Sequence, residues 1–531
     1  MIQRIEWNGI RVPHRPGLDA DAEAIAAARR EIRRATGQTP RNLRIAKKSI
    51  DARRGIAFVY TVSAEAEGIS EDAAKKHASL RICPEPMVER TRGTEPLKHR
   101  PVIVGFGPAG MFAGLLLAEE GYAPLILERG GTVDERTAAV ERFIRDGILD
   151  ERTNIQFGAG GAGTFSDGKL TTRIGDPLVA WVMRTLADLG APEDILYKSK
   201  PHIGTDILRE VVKNADARIR SLGGEIRYNT RASRITSSTL DAEGETVPFD
   251  ALVLATGHSA RDTVAELIDG GYSVAAKPFS VGVRAEHLQR DIDEALFHEH
   301  AGDPALGRGE YQLSYRRGER GCYTFCMCPG GTVVPSASEA GGVVTNGMSV
   351  RARDGRNANA AVCVSVLPTD FGGSPREAVA FQRELERAAF RAGGGDYTAP
   401  CQTVGDLLAG RHGTECTKIL PTYRDGRVAM RDLSAILPPF VTEMLREGLA
   451  DFGRKLHGYD DPAVPLTGVE TRTSSPVRIL RGEDGCAVGH PGIYPCGEGA
   501  GYAGGIVSAA VDGVRIAQKI MKNRAPAKDN A

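Results

Sequence analysis

An α/β architecture, with a parallel sheet interrupted by an inserted α+β unit and preceded by a small α+β module, follows from three features of this 531-residue chain. Strand, glycine turn, helix, strand and acid succeed one another without a break between Pro101 and Gly130. Glycine-rich segments that read as strand-to-helix connections come back at three later places. Charge shifts near residue 95: residues 1–100 hold 20 Lys and Arg against 13 Asp and Glu, a balance of +7, although the whole chain is neutral.

The first module, residues 1–95, reads as a strand (Ile2–Trp7), a helix rich in helix formers (Asp19–Ala35) and two further strands (Leu43–Ile50 and Ile56–Ser63). A polar, proline-bearing linker at Pro84–His99 closes it. The pattern is that of a small ferredoxin-like α+β sandwich. Its excess positive charge can be simply solvated, can steer an acidic electron-carrier protein onto its face, or can hold RNA. RNA is disfavoured, because stacking needs exposed aromatics and the last strand offers only Phe58 and Tyr60.

In PVIVGFGPAGMFAGLLLAEEGYAPLILERG, Gly105, Gly107 and Gly110 form G-x-G-x-x-G, with Pro108 and Ala109 opening a helix. The first glycine permits the sharp turn, the second lets backbone approach a pyrophosphate, and the third lets helix sit close on strand. The helix start then presents its positive dipole end to the phosphates. Glu128, 23 residues after Gly105 and followed by Arg129, can accept hydrogen bonds from ribose hydroxyls. The segment predicts a bound dinucleotide.

Three later segments return to that site. The first, QFGAGGAGTFSDGKL, brings Gly160, Gly161, Gly163 and Thr164 for close backbone approach, then Asp167 and Lys169 as polar groups beside a redox-active ring. The second spans Gly223–Asp262, with Ala232 along the way and an apolar strand ending at Ala255, Thr256 and Gly257. The third, GIYPCGEGAGYAGGIVSAAVDGVRIAQKI, carries Gly497 and Glu498 and then a helix starting near Gly504, Gly505 and Ile506. Glu498 can accept from a ribityl hydroxyl, and the helix start can stabilise negative charge on a reduced flavin ring. A plain glycine loop is the competing reading of each segment taken alone.

Composition limits the setting. With 41% hydrophobic and 26% charged residues the chain is an ordinary globular one. It shows no apolar stretch of bilayer length and no secretory apolar region at its start. Nine cysteines without a disulfide framework fit a reducing, cytoplasmic setting with no membrane partner.

The expected division is residues 96–275 and 455–525 for the dinucleotide-binding unit, with residues 276–454 inserted as an α+β substrate or cap unit. Within the insert, Cys322, Cys326 and Cys328 share parity along a strand and therefore a face. Their spacing fits neither zinc nor ferredoxin ligation, so no metal is expected. Cys326 and Cys328 lie about 6.5 Å apart along an extended chain, at the edge of what a disulfide spans, and a dithiol electron relay is the alternative reading. The preferred reading makes this strand and its Pro329-Gly330-Gly331 turn a wall of the substrate pocket, with Asn346, Ser349, Asn357 and Asn359 as polar contacts. Arg284, Glu286 and His287 point into a cleft or form a surface ion pair. Lys169, its pKa lowered by desolvation and oriented by Asp167, is the candidate proton exchanger; a surface cation is the alternative.

G-F-G-P-A-G with Glu128-Arg129, the A-T-G at Ala255–Gly257 and C-G-E-G-A-G-Y-A-G-G-I resemble the FAD-binding motifs of the glutathione reductase and p-hydroxybenzoate hydroxylase superfamily. F-G-A-G-G-A-G-T-F-S-D-G-K-L, G-H-S-A-R-D and Y-T-F-C-M-C-P-G-G resemble, more narrowly, a bacterial family of FAD-dependent dehydrogenases. The resemblance implies a Rossmann-like FAD/NAD(P)-binding fold of glutathione reductase type, FAD as cofactor and redox chemistry, but no substrate; the leading reading is hydride transfer between flavin N5 and a small or medium organic molecule. Two departures stand out: Glu498 replaces the superfamily's common Asp, and no second G-x-G-x-x-G follows a strand. The donor, NADH, NADPH or a carrier protein, is therefore left open. An FAD-dependent monooxygenase, and a non-catalytic flavin sensor whose first module binds RNA or protein, are the alternatives.

Overall fold

The computed structural model describes residues 2–53, 55–69, 74, 76–83 and 88–527. The start of the expected linker, residues 84–87, lies outside them. Short apolar runs make the central sheet: Ile493–Pro495, Leu252–Leu254, Val102–Val104, Leu125–Leu127 and Glu225–Arg227 pair in parallel in that spatial order. Because side chains alternate, the two faces separate cleanly. Ile103, Ile126 and Val253 pack against the helices Pro108–Glu119, Thr205–Ser221 and Ile506–Asn523. Val102, Leu125, Leu127 and Leu254 face a small antiparallel sheet built from Ala232–Ser233, Thr239–Ala242 and Glu245–Pro248. Helix Pro108–Glu119 is buried from Ala109 to Ala118, as expected for a helix held between sheet and neighbouring helices.

The inserted unit is a seven-stranded sheet in the order Ser314–Arg317, Arg320–Cys328, Asn357–Val366, Phe279–Leu288, Pro465–Glu470, Ala399–Thr403 and Val428–Met430. All neighbours are antiparallel except the last pair. Helices Pro375–Gly393 and Pro439–Lys455 contribute to its apolar core. Pro465–Glu470 pairs with Phe279–Leu288, so the insert runs past the boundary expected at residue 454. The reason is topological: this apolar strand completes the cap sheet before the chain returns to the central one at Ile493.

The N-terminal module is a four-stranded antiparallel sheet, Arg41–Asp51, Ala57–Glu67, Ile2–Pro13 and Leu80–Ile82 in spatial order, covered by helix Ala20–Thr36. Its first strand continues to Pro13, beyond the expected end at Trp7, through a bulge at Gly9 (φ +83°). Lys48 N donates to Tyr197 O and Ser199 N to Lys48 O, which ties this sheet to the dinucleotide-binding unit. Phe58 and Tyr60 lie in the module's core, 2% and 1% exposed, and offer no stacking surface. Among the described residues, no helix is long and apolar enough to cross a membrane.

Candidate functional site

Three stretches far apart in sequence meet at the carboxyl ends of the central strands. Gly105 turns with φ +100° directly beneath the Ala255 carbonyl, where any Cβ would collide. A Cβ on Gly110 would overlap the Gly105 carbonyl oxygen, which is why helix Pro108–Glu119 can start so close to its strand. A Cβ on Gly161 (φ +64°) would stand 2.8 Å from Gly107 Cα, and one on Gly163 would stand 3.0 Å from Ile506. Gly160 N donates to Phe106 O at 2.8 Å, and Thr164 is buried with its hydroxyl on Ala159 O. The glycine loop thus joins the starts of helices Pro108–Glu119 and Ile506–Asn523.

Both helices begin at glycines, Gly107 and Gly505, with no side chain capping them and no acid in their first turns. Helix starts leave N–H groups unsatisfied, and such ends favour anions. A Cβ on Gly107 would meet nothing nearer than 3.7 Å, and Cβ atoms on Gly257, Gly504 and Gly505 would meet nothing within 4 Å. These glycines therefore face open space rather than packed protein. Thr256 sits beside them, half-buried.

Glu128, 4% exposed, accepts from Phe106 N at 2.8 Å with one oxygen and from Gly158 N and Gly130 N at 2.9 and 3.0 Å with the other. Three of its four or so acceptor positions are taken, leaving room for one ribose hydroxyl. Arg129 is committed elsewhere: its guanidinium pairs with Asp262 at 3.0 Å and lies over the Phe157 ring. Arg136, wholly buried, donates to the carbonyls of Asn154, Ile155 and Ala159 and so fixes the glycine loop. Ala232 is buried in the small antiparallel sheet. Gly497 packs on Ala109. Burial pushes the Glu498 carboxyl up to about 7 against the pull of Lys277, and no hydrogen bond lowers it.

Of the polar residues expected at a substrate pocket, Ser349 reaches the end of the glycine loop and Asn346 and Asn359 bond to Arg284, whereas Asn357 turns to Glu286 and the Leu420 carbonyl within the cap unit. Asp167, fully buried, receives Lys169 at 2.7 Å, Arg353 Nε at 2.9 Å and the Ser349 hydroxyl. Burial raises the Asp167 carboxyl, but Lys169 and Arg353 outweigh it and hold it at about 2. The same pairing reverses the expectation for Lys169: burial pulls its ammonium down, yet Asp167 holds it above the usual lysine range. Lys169 is a fixed cation.

Arg284 does not form a surface ion pair; it is wholly buried and grips Glu470 at 2.7 and 3.0 Å. It also donates to Asn359 Oδ1 at 2.8 Å, to Cys326 O at 3.1 Å and to Asn346 Oδ1 at 3.4 Å. Glu286 is buried too, accepting from Asn357 and Thr422, and burial raises its carboxyl. His287 is buried against Tyr459 O. The shared face expected for the three cysteines is broken by a bulge between Phe325 and Cys328, where Cys326 takes φ +45°. Cys322 packs against Gly448, while Cys326 and Cys328 face Lys169 and Arg284.

Arg353, Glu470 and Lys277 were not singled out in the sequence. Only Glu470, a charge ending the apolar strand PLTGVE, carried a usable signal. A second unforeseen group joins the cap unit to the dinucleotide-binding unit: Arg261 and Arg472 both grip Glu386, which they hold far below the usual carboxylate range although burial opposes them.

Two uncapped helix starts and a glycine-lined floor at the strand ends define a dinucleotide-binding α/β protein. Residues 278–473 match the family model described as FAD-dependent protein, C-terminal domain-like. An uncharacterized protein of Clostridium beijerinckii is 48% identical over 438 residues, which cover 81% of this chain and 82% of that one. The chain belongs to the same family as that protein, and FAD is its cofactor. The residues fit the group: open glycines and free helix ends suit a pyrophosphate, and the unpaired Glu498 suits ribityl hydroxyls. Among solved structures, glycine oxidase from Geobacillus kaustophilus overlays with a TM-score of 0.32 and 13% identity, over 81% of this chain and 96% of that one. The tetrameric form of 2-methyl-3-hydroxypyridine-5-carboxylic acid oxygenase overlays with a TM-score of 0.31 and 14% identity, over 82% and 85%. Neither overlay is close enough to carry an activity across.

Proposed function

We propose that this protein is a flavin-dependent oxidoreductase acting on a small organic molecule held at the seam between the FAD cradle and the cap sheet. The observation that carries this reading is the cluster of fixed charges, Asp167, Lys169, Arg353, Arg284 and Glu470, which gathers beside the glycine loop that joins the two helix starts. Bound flavin supplies two-electron chemistry at its N5 position. The protein supplies position and field. The start of helix Ile506–Asn523 favours negative charge arriving at its end. Lys169 stays protonated and offers a permanent positive charge and hydrogen-bond donors, in place of the proton exchange expected from the sequence. Arg284, locked by Glu470, holds Asn346 and the Cys326 carbonyl in fixed geometry. Arg261 and Arg472, both paired to Glu386, brace the cap unit against the dinucleotide-binding unit.

The test is an anaerobic spectral titration of the purified protein with NADH, NADPH and a reduced acidic carrier protein. Stoichiometric bleaching of the flavin by one of these donors supports an oxidoreductase and names the donor. Flavin that no donor reduces on any catalytic timescale contradicts the reading and leaves FAD a structural or sensing ligand. The net positive charge of residues 1–100 predicts that a carrier-protein donor would bleach more slowly as salt is raised.

A further inference from the structure

Cys326 and Cys328 are the nucleophilic groups that the reading above leaves unused. They lie on the cap-sheet strand Arg320–Cys328, with Met327 between them. An extended strand would hold their Cα atoms at the limit of disulfide reach, and Cys326 itself leaves the extended region with φ +45°. Cys328 Sγ lies 3.3 Å from the Cys326 carbonyl. Directly opposite Cys328 sits Asn359, whose buried Nδ2 has no acceptor among the described residues. Gly347 closes over the pair, and a Cβ there would collide with Arg284 and Asn359 and come within 2.9 Å of Cys328 Sγ. Cys326 is only half-buried, whereas Cys322, Cys328 and Cys363 are buried.

We infer that Cys326 and Cys328 form a redox-active dithiol, so that the oxidoreductase proposed above exchanges electrons with thiol or disulfide substrates. In the step, the Cys326 thiolate and the Cys328 thiol join as a disulfide. The Cys328 sulfur loses its proton to solvent, and the electron pair passes to oxidised FAD. Run backwards, with an electron pair from reduced flavin and a proton from solvent, the disulfide would open to the Cys326 thiolate and the Cys328 thiol, and the thiolate would attack an external disulfide.

The surroundings suit this chemistry. The neighbouring Cys328 thiol is the largest influence that brings Cys326 down to about 6; burial opposes, and Lys169 and Arg284 assist. Cys328 is raised in turn. Glu470 is the acid that disfavours the Cys326 thiolate, and it is paired to Arg284. Asp167 faces Cys328 and is neutralised by Lys169 and Arg353. A thiolate is the attacking form, so its stabilisation beside a partner thiol is what a working dithiol needs.

The inference rests on the flavin reading, and one experiment separates the two. Oxidised holoprotein, pretreated with diamide and desalted, is titrated anaerobically with dithionite. Wild-type protein is expected to take up about four electrons per bound flavin, and the Cys326→Ser/Cys328→Ser variant about two. Cys322→Ser, on the same strand, is expected to keep about four, as is Cys401→Ser, which removes the other coupled thiol pair. Wild-type protein with full flavin but only about two electrons overturns the dithiol and leaves the flavin reading standing. Protein that holds no flavin overturns both. Alkylation of reduced wild-type holoprotein with iodoacetamide at about pH 6 gives a readout that needs no variant. Cys326 is expected to be modified at least about tenfold faster than Cys363 or Cys496, and equal rates contradict the inference.

Discussion

Lys169 shows how one neighbour decides what a side chain can do. Desolvation alone would make it a proton exchanger, but the fully buried Asp167 at 2.7 Å keeps it charged. Lys169→Met should therefore retain FAD and lower turnover at least about tenfold without removing any ionisation between pH 6 and 9, while the Cys326 thiol, which Lys169 helps to hold down, should titrate higher. A lost ionisation in the kcat profile would return Lys169 to acid–base duty. Asp167→Asn leaves two cations facing a neutral group and should cost about 3 kcal/mol in urea unfolding at pH 7. The sign agrees with its lowered pKa: stability from Asp167 is present above about pH 4 and lost as pH falls through about 2. Glu498 has the opposite sign. Its carboxyl is raised to about 7, so in flavin-free protein its favourable contribution is complete below about pH 4.5 and lost as pH rises through 7. Glu498→Gln should flatten that fall, worth on the order of 2 kcal/mol, in thermal unfolding followed from pH 5 to 9. Sequence reading found Lys169, Asp167, Arg284 and Glu498, because charge beside glycine or within an apolar run stands out. It missed Arg353 and Glu470, which lie 186 residues from the partners they fix; Glu470 was marked only as a charge ending an apolar strand, and Arg353 not at all.

The glycine turn separates binding from folding. Gly107→Ala adds a methyl with nothing nearer than 3.7 Å, projecting into the cradle, at a backbone angle any residue adopts (φ −79°). The variant should unfold within about 0.5 kcal/mol of wild type yet bind FAD at least about tenfold more weakly. Gly110→Ala drives a methyl into the Gly105 carbonyl and should instead lower stability by about 1–3 kcal/mol. Fluorescence titration with FAD and urea unfolding distinguish the two. Elements of this kind were readable because their glycines sit at fixed offsets from strand and helix. The bulge at Cys326 was not, since a left-handed residue other than glycine or asparagine has no sequence mark, and so the parity argument for the three cysteines failed.

Three units share one chain, and their order explains what could be seen beforehand. The central sheet was visible because Val102–Val104, Leu125–Leu127, Leu252–Leu254 and Ile493–Pro495 are short apolar runs with a glycine within three residues of their ends; Glu225–Arg227 is not. The cap sheet hid its last strands: Pro465–Glu470 lies nearly 180 residues from Phe279–Leu288, its partner, so its membership is set by tertiary pairing. The basic first module docks by an edge strand, through Lys48 and Lys198, which composition alone does not reveal. What unites the units is a cradle assembled from the Gly105, Gly161 and Gly505 regions around a single FAD. Flavin content decides whether it exists. Wild-type protein passed through gel filtration after incubation with excess FAD should carry about one flavin per chain, and Gly107→Ala, folded, should elute nearly without it. Folded wild-type protein that leaves the column colourless would contradict the cradle and everything built upon it.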